Sequence, residues 1–226
     1  DDAGRRHGEA LLRQIRAQAE AQAQADPGAD GRLPGVRIED WPDLPVRGFM
    51  LDISRDRVPT RATLERLVGV LALARYNQLQ LYVEHTFAYR DHETVWRHAS
   101  PLTAVDVTWL DGLCRANGIE LVPNQNCFGH MHRWLEHPEY RDRAETPGGF
   151  ELLPGVPRPP ALLAPTPDNA RFALDLFDEL LPLFASRRVN IGADETFELG
   201  LGASRADVAA RGRGAVYLEH LVRIAG

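Results

Sequence analysis

Asp194 and Glu195 stand side by side where a predicted strand, residues 189–194, comes to its end. Glycosidases use two carboxylic groups, one to protonate the departing oxygen and one to stabilise the cationic sugar carbon. Adjacent residues of a regular strand point to opposite faces, so the two acids can serve one site only if the strand ends and the chain turns there. Taken alone, an Asp-Glu pair at a strand end is more often solvated charge, and its interpretation depends on its surroundings.

Polar residues also close the three preceding predicted strands, which cover residues 46–53, 79–85 and 119–126. In chain order the strand ends carry Asp52, then Glu84 with His85, then Asn124 with Asn126. The carboxyl ends of parallel barrel strands are where such folds build their active sites. The sequence therefore predicts one polar site assembled from the ends of four strands.

Helical patterns alternate with these strands. Thr60 is the predicted N-cap of a helix with Leu64, Leu67, Val68 and Leu71 on one face. Further helices are predicted at 8–24, around 106–117 with Asn117-Gly118 as the C-cap, after the N-cap Thr166-Pro167 until Pro182 disturbs it, and from about 207 to the end. A long Pro- and Gly-rich loop is predicted at 136–165.

This alternating order predicts parallel strands with covering helices. An open doubly wound sheet is the alternative, but it usually shows a Gly-rich phosphate turn after its first strand. Here the first strand leads into Ser54-Arg55-Asp56-Arg57, which is no such turn. We therefore predict an α/β fold of the (β/α)8 TIM-barrel type. A full barrel takes about 250 residues and eight strands, so the four predicted strands represent about its first four β/α units.

The composition of the chain argues against several classes of function. The formal net charge of -6 opposes nucleic-acid binding, and no apolar run is long enough to span a bilayer. The chain has no lysine, so no lysine Schiff base or P-loop lysine is available in it. Cys114 and Cys127 have no CxxC partner and are predicted to be buried, inert thiols. The first residues lead into a polar helix rather than a signal peptide, which slightly favours a cytoplasmic location.

Four segments in chain order resemble the family-20 glycoside hydrolases, the β-N-acetylhexosaminidases. Residues 47–55 (RGFMLDISR) resemble the first-strand motif of that family, and residues 77–82 (NQLQLY) resemble the approach to its second strand. Phe128-Gly129-His130 is similar to its Pro-Gly-His turn, and residues 190–196 (NIGADET) are similar to its Gly-x-Asp-Glu motif. Residues 8–45 also resemble the end of the α+β domain that precedes the family's barrel, so we place a domain boundary near residue 44, with 45–226 as the first half of the barrel.

The resemblance implies a retaining, exo-acting enzyme that uses substrate-assisted catalysis and needs no cofactor. The substrate's own 2-acetamido oxygen would attack the anomeric carbon and form an oxazoline. Asp194 would hold the acetamido N–H, and Glu195 would protonate the leaving oxygen and then deprotonate water. Arg47 would grip hydroxyls of the terminal sugar, and His130 matches the family histidine near the acid pair. The implied partner is a glycan or oligosaccharide with a terminal β-linked N-acetylhexosamine, and neither a nucleic acid nor a membrane.

The chain departs from the family in two places. Residues 83–87 (VEHTF) stand where many members carry a His-aromatic-His segment and a sugar-binding Asp, so Glu84 and His85 are candidate sugar contacts without a transferred role. Residues 124–126 (NQN) replace acidic residues that are common before the Gly-His turn. Trp96 and Trp134 fall in loops at the correct end of the barrel and could stack on sugars, whereas the pattern around Trp109 predicts a core position.

Two other functions remain open on the sequence. Glu84, His85, His130, Asp194 and Glu195 could form the ligand set of a metal-dependent barrel isomerase or hydrolase, although the chain lacks HExxH or any tight ligand spacing. A non-catalytic, carbohydrate-binding half-barrel is the second alternative. The intact Asp-Glu pair argues against it for the whole protein, but inactivity of this segment alone is expected.

Overall fold

The structure is a computed structural model that describes residues 2–26, 35 and 37–226. Its strands are β1 (Gly48–Asp52), β2 (Gln78–Tyr82), β3 (Glu120–Val122), β4 (Phe150–Leu153) and β5 (Val156–Arg158). Its helices are α1 (Asp2–Ala25), α2 (Arg61–Leu73), α3 (Glu93–Trp96), α4 (Ala104–Ala116), α5 (His132–Leu135), α6 (Pro138–Arg141), α7 (Pro167–Leu180), α8 (Arg205–Arg211) and α9 (Arg213–Ala225).

The sheet that positions the candidate site is parallel and runs in chain order, β1-β2-β3. Leu51 lies opposite Leu81, and Leu79 lies opposite Leu121, so every carboxyl end points the same way. The predicted parallel order of the first three strands is confirmed. An open sheet of order 2-1-3 is excluded by the same pairing.

The fourth predicted strand, 189–194, is wrong in its extent. A single parallel bridge joins Asn190 to Asn124, which keeps the predicted neighbour and direction. Beyond it, Gly192 and Ala193 have φ values of 67° and 74°. Left-handed backbone cannot continue a β ladder, so the extended segment ends after about one paired residue.

The predicted helix starts are confirmed where a side chain caps them. Thr60 and Thr166 accept hydrogen bonds from the backbone N–H groups of Thr63 and Asn169. Thr103 and Asp106 form a reciprocal capping box, so α4 begins two residues before the predicted start. The same helix ends at the predicted Asn117-Gly118 pair, with Gly118 at a φ of 72°.

Two predicted segments differ in the structure. The loop at 136–165 contains the short helix α6 and the antiparallel hairpin of β4 and β5. Proline and glycine mark the turn of this hairpin, Pro154-Gly155, rather than an absence of structure. The final helix is two helices, because Gly212 at a φ of 85° breaks the chain between α8 and α9. Pro182 lies in a 3-10 turn, Leu181–Leu183, that follows α7 as predicted.

The core lies between the sheet and its helices. It includes Leu79 and Leu121 from the strands, Leu64 and Leu110 from α2 and α4, and Leu176 from α7. Burying each such side chain contributes roughly 1.5–3 kcal/mol. Both cysteines are free and buried, which confirms their predicted burial, and burial raises the pKa of each thiol to about 12, disfavouring the reactive thiolate.

The predicted N-terminal helix is confirmed as α1, with Ala10 as its buried residue. Residues 26–31 (DPGADG) predict the end of this helix; all of them except Asp26 lie outside the described residues, and α1 itself ends at Ala25. None of the helices in the described ranges has the length and apolar character to cross a membrane.

Candidate active site

A turn in left-handed backbone presents Asp194 and Glu195 to one side of the chain. Gly192, Ala193 and Glu195 have φ values of 67°, 74° and 49°. Such a conformation is unusual for residues other than glycine and is typical of constrained functional segments. It meets the condition set by the sequence, that the strand must end before two adjacent acids can share a site.

Both carboxylates converge on the imidazole of His130. Its Nε2 atom lies 3.4 Å from Glu195 Oε2 and 3.7 Å from Asp194 Oδ2. The two acid side chains remain 58% and 65% exposed, whereas His130 is only 17% exposed. The acids are thus open to a ligand on one side and face a nearly buried histidine on the other.

Glu84 lies behind His130 and is fully buried. Its Oε1 atom accepts hydrogen bonds from Arg55 Nη1 at 2.6 Å and from the Tyr82 hydroxyl at 3.1 Å. His130 Nδ1 lies 3.3 Å from the same oxygen, and His132 Nδ1 lies 3.8 Å from Oε2. A buried carboxylate is stable only when it is paired and hydrogen-bonded. These partners satisfy Oε1, whereas Oε2 has no hydrogen-bond partner among the described residues.

Neighbouring charges and hydrogen bonds shift the pKa values of Glu84 and His130. Burial alone would raise the pKa of Glu84, but the hydrogen bond with His130 and the charge of Arg55 outweigh it and lower the pKa. The hydrogen bond with Glu84 in turn raises the pKa of His130 against the effect of burial, and Asp194 and Glu195 raise it further. These neighbours stabilise the imidazolium form of His130, which has one ring nitrogen toward Glu84 and the other toward the acid pair.

The turn Phe128-Gly129-His130 packs directly against the segment that carries the acid pair, residues 190–198, called the acid segment below. A Cβ atom on Gly129 would lie 2.4 Å from the backbone oxygen of Asp194, and one on Gly192 would lie 2.2 Å from Asn126 Oδ1. The Tyr217 hydroxyl of α9 donates a 2.9 Å hydrogen bond to the backbone oxygen of Ala193. Close backbone contact therefore fixes the distance between His130 and the acids.

We expect Gly129→Ala to destabilise the fold, because the new methyl group meets the backbone oxygen of Asp194 rather than a flexible side chain. Overpacking of this kind costs about 1–3 kcal/mol, measurable as a lower melting temperature. Gly69→Ala in α2 is the matched control: its Cβ meets nothing within 4 Å, and it should be neutral or stabilising by about 0.4–1 kcal/mol. Equal melting temperatures for Gly129→Ala and the parent would contradict this packing.

Arg47 is not brought to the acid pair. It precedes β1, at the amino end of the sheet, whereas the acids follow the carboxyl ends. Its guanidinium donates hydrogen bonds to the backbone oxygens of Arg75 at 2.7 Å and Leu44 at 2.6 Å. These contacts hold the connector against the loop before β2, and the sugar-binding role of Arg47 stays a prediction from the resemblance alone.

The interpretation of Trp134 as a sugar-stacking residue is wrong. Its side chain is fully buried, and its indole N–H donates a 2.7 Å hydrogen bond to the backbone oxygen of Glu84. It packs edge-on against the rings of Tyr140 and Phe172. The loop after β3 folds back over α5, so a tryptophan at the correct end of the barrel becomes core.

Trp96 and Trp109 are partly buried. Trp96 packs against the core and donates a 2.8 Å hydrogen bond to the backbone oxygen of Tyr89. Trp109 also packs against the core, as predicted, and the guanidinium of Arg61 lies 5.0 Å from the centre of its ring.

His85 and the three residues of the Asn-Gln-Asn segment are buried rather than exposed to a ligand. His85 is buried, and burial lowers its pKa. Asn124 Oδ1 accepts a hydrogen bond from Val83 N at 3.3 Å, and Asn126 Nδ2 donates one to Val83 O at 3.0 Å. These amides complete the ladder between β2 and the segment after β3 where the strands have ended.

Arg55 and Tyr82 were not assigned a role from the sequence, although they complete the group around Glu84. Tyr82 and Glu84 are two residues apart at the end of β2, a spacing that places both side chains on one face. Arg55 follows the end of β1, the strand next to β2. Those two relations are the signals that could have found them.

Within the described part of the chain, no group of three or more His, Cys, Asp or Glu side chains is arranged to hold a metal ion. The candidate ligands named from the sequence instead pair with oppositely charged or hydrogen-bonding side chains. Glu84 is held by Arg55 and Tyr82, and His130 lies between Glu84 and the acid pair.

Parallel strands in chain order, with intervening helices and an acid pair beyond their carboxyl ends, are the arrangement expected in the first part of a TIM-barrel catalytic domain. The model of the glycosyl hydrolase family 20 catalytic domain matches residues 44–209, and the chain belongs to this family.

Known relatives agree with this membership. A β-hexosaminidase of Akkermansia muciniphila is 28% identical over 85% of this chain and 41% of its own length. A solved β-N-acetylhexosaminidase superposes with a TM-score of 0.74 at 23% identity, covering 98% of this chain and 52% of its own. A Vibrio harveyi exo-β-N-acetylglucosaminidase, solved with N-acetylglucosamine, gives a TM-score of 0.65 at 16% identity over 80% of this chain and 32% of its own. The chain thus spans about half or less of the length of these relatives.

Proposed function

We propose that the protein containing this chain is a retaining, exo-acting β-N-acetylhexosaminidase that hydrolyses terminal β-linked N-acetylglucosamine or N-acetylgalactosamine. The observation that carries the proposal is the convergence of Asp194 and Glu195 on His130 Nε2, at 3.7 and 3.4 Å. Two exposed carboxylates on one side of a constrained turn suit a reaction that needs both at a single sugar. The names of the relatives, β-hexosaminidase and exo-β-N-acetylglucosaminidase, support the substrate class.

In this proposal the nucleophile belongs to the substrate. The 2-acetamido oxygen attacks the anomeric carbon, the bond to the leaving oxygen breaks, and an oxazoline forms. Asp194 accepts a hydrogen bond from the acetamido N–H and stabilises the positive charge that develops there. Glu195 donates its proton to the leaving oxygen and then removes one from the incoming water. Two inversions at the same carbon give overall retention.

His130 positions the acid pair. Its Nε2 atom lies 3.7 Å from Asp194 Oδ2 and 3.4 Å from Glu195 Oε2, so one ring holds both side chains at a single site. Glu84, held by Arg55 and Tyr82, orients the ring so that Nε2 faces Asp194 and Glu195. This is the role that we assign to Glu84, in place of direct sugar contact.

We also propose that residues 45–226 supply the first four β/α units of an eight-stranded barrel, and that residues 1–44 form the end of a preceding domain and its linker. The pairing of β1, β2 and β3, followed by the bridge from Asn124 to Asn190, supports four consecutive parallel positions. The greater lengths of the relatives support additional units in the whole protein.

Stereochemistry tests this function. We expect the intact protein to release the β-anomer of N-acetylglucosamine first, as seen by proton NMR before mutarotation, since two inversions restore the starting configuration. The rate should be unchanged by EDTA, since no step needs a metal. Initial release of the α-anomer would indicate a single inversion by water and would contradict the proposal, as would loss of activity on chelation that added metal restores.

A further inference from the structure

Two buried carboxylates, Glu145 and Glu198, lock the segment after the acid pair to the long loop after β3. Glu198 accepts hydrogen bonds from the Thr146 hydroxyl on Oε2 and from Ala161 N at 2.7 Å on Oε1. Glu198 is three residues beyond Glu195, and its two partners lie on either side of the β4–β5 hairpin. One side chain therefore ties both ends of the hairpin to the acid segment.

Glu145 binds in the opposite direction: it belongs to the loop after β3 and accepts hydrogen bonds from the segment that follows the acid pair. Its carboxylate accepts hydrogen bonds from the backbone N–H groups of Gly200, Gly202 and Ser204 at 3.0–3.2 Å, and from the Ser204 hydroxyl at 2.7 Å. A Cβ atom on Gly202 would lie 1.8 Å from the backbone oxygen of Glu145. The two segments thus interlock at both the side-chain and the backbone level.

Ala161 extends this lock to the histidine. Its backbone N–H donates to Glu198, and its backbone oxygen accepts a 2.8 Å hydrogen bond from Met131 N. Met131 follows His130, and Glu198 follows Glu195 by three residues. Two hydrogen bonds to the backbone of one residue, Ala161, therefore connect the segment that carries His130 with the segment that carries Glu195.

We infer that Glu198 is a positioning residue for the proposed reaction: by holding Ala161 and Thr146, it sets the separation between His130 and Glu195 and thereby the aim of the acid toward the leaving oxygen. The inference rests on the proposed function. Glu198 itself is 2% exposed and faces the hairpin ends, so it touches neither the substrate nor the reacting atoms. Its effect passes through the backbone.

The hydrogen bonds, rather than the charge, carry this role. Burial raises the pKa of Glu198, against the lowering effect of the bonds from Thr146 and Ala161, and nearby Glu145 raises it further. A neutral amide of the same shape can accept from Ala161 N–H and pair with the Thr146 hydroxyl, which is free to rotate. Gln at position 198 should therefore preserve the geometry, and Ala should release it.

The test compares Glu198→Ala, Glu198→Gln and the unaltered intact protein on two substrates. One is a β-linked disaccharide of N-acetylglucosamine, whose leaving group needs a proton; the other is a nitrophenyl N-acetyl-β-glucosaminide, whose leaving group does not. Displacement of a catalytic group by about 1 Å can cost about 10²-fold. We expect Glu198→Ala to lower kcat/KM for the disaccharide about 10- to 100-fold and for the nitrophenyl substrate several-fold less, with Glu198→Gln near the parent.

Asp111→Ala is the matched control. Asp111 is also a buried carboxylate that accepts a backbone hydrogen bond, from Ala185 N at 3.2 Å, but it lies in α4 on the helical layer. Its loss should lower stability without changing the ratio of the two kcat/KM values, because that ratio does not depend on the fraction of folded protein. If Glu198→Ala fails to fold, Thr146→Val removes one of the same hydrogen bonds with little change in shape and should shift the ratio in the same direction.

An unchanged ratio in Glu198→Ala, or in Thr146→Val where the former does not fold, would overturn the inference, as would an equal shift in Asp111→Ala. In each of those outcomes the unaltered protein still cleaves both substrates, so the proposed function survives. If the unaltered protein cleaves neither substrate, the proposed function fails and the inference fails with it. The two failures are therefore distinguished by the parent protein alone.

Discussion

Glu195→Gln should slow the hydrolysis of a natural β-linked disaccharide by about 10²–10⁴-fold, the usual contribution of acid catalysis. A sugar alkoxide leaves poorly without a proton, and glutamine cannot donate one of comparable acidity. A nitrophenolate leaves without much protonation, so formation of the oxazoline from a nitrophenyl glycoside should suffer far less. The measurement is kcat/KM for both substrates in the intact protein.

Asp207→Asn is the control for this variant. Asp207 is an exposed carboxylate in α8, 3.6 Å from Arg211 Nη2 and outside the acid segment, so its neutralisation should leave both rates unchanged. Equal slowing of the two substrates by Glu195→Gln would contradict a role as the general acid.

Replacing the substrate's 2-acetamido group by a hydroxyl should remove nearly all turnover by the unaltered protein. The acetamido oxygen is the proposed nucleophile, and the described site offers Asp194 and Glu195 for other tasks. A hydroxyl at that position cannot form an oxazoline, and it leaves Asp194 without its N–H partner. Nitrophenyl β-glucoside and nitrophenyl N-acetyl-β-glucosaminide, compared at matched concentrations, give the result directly. Comparable rates would contradict substrate assistance.

Local sequence signals predicted the frame of the site because their physical causes are local. The caps at Thr60 and Thr166 depend on hydrogen bonds within three residues, and the order β1-β2-β3 follows from short helical crossovers. The turn at the acid pair was predictable for a stereochemical reason: two adjacent acids can share a site only if the extended backbone ends before they do, and Gly192 and Ala193 provide that end.

The error at Trp134 concerns contacts that this residue makes outside its own helix. Trp134 was placed by its position in a loop, but its burial depends on Tyr140 and Phe172, which fold against it from α6 and α7. A loop position indicates which end of the barrel a residue lies at, and it does not determine whether another part of the same loop covers the residue.

Arg47 and Arg55, which flank β1, also show that tertiary contacts cannot be read from local sequence. The resemblance assigned a role to Arg47, whereas the structure brings Arg55 to Glu84, 29 residues away in sequence. Which end of a five-residue strand faces the site depends on the direction of the strands around it, and the choice between these two arginines required the assembled sheet. Glu198 was missed for a related reason, since its partner Thr146 is 52 residues away.

The central claim is that Asp194 and Glu195 do different work at one sugar, and a comparison of Asp194→Asn with Glu195→Gln across aglycones of graded leaving-group ability tests it most directly. Asp194 acts on the acetamido group, which every substrate in the series shares, so Asp194→Asn should slow all of them about equally. Glu195→Gln should slow them in increasing measure as the leaving group becomes poorer. Leaving-group dependence in Asp194→Asn alone would show that the roles are exchanged, and activity undiminished in both variants would show that the catalytic pair lies elsewhere.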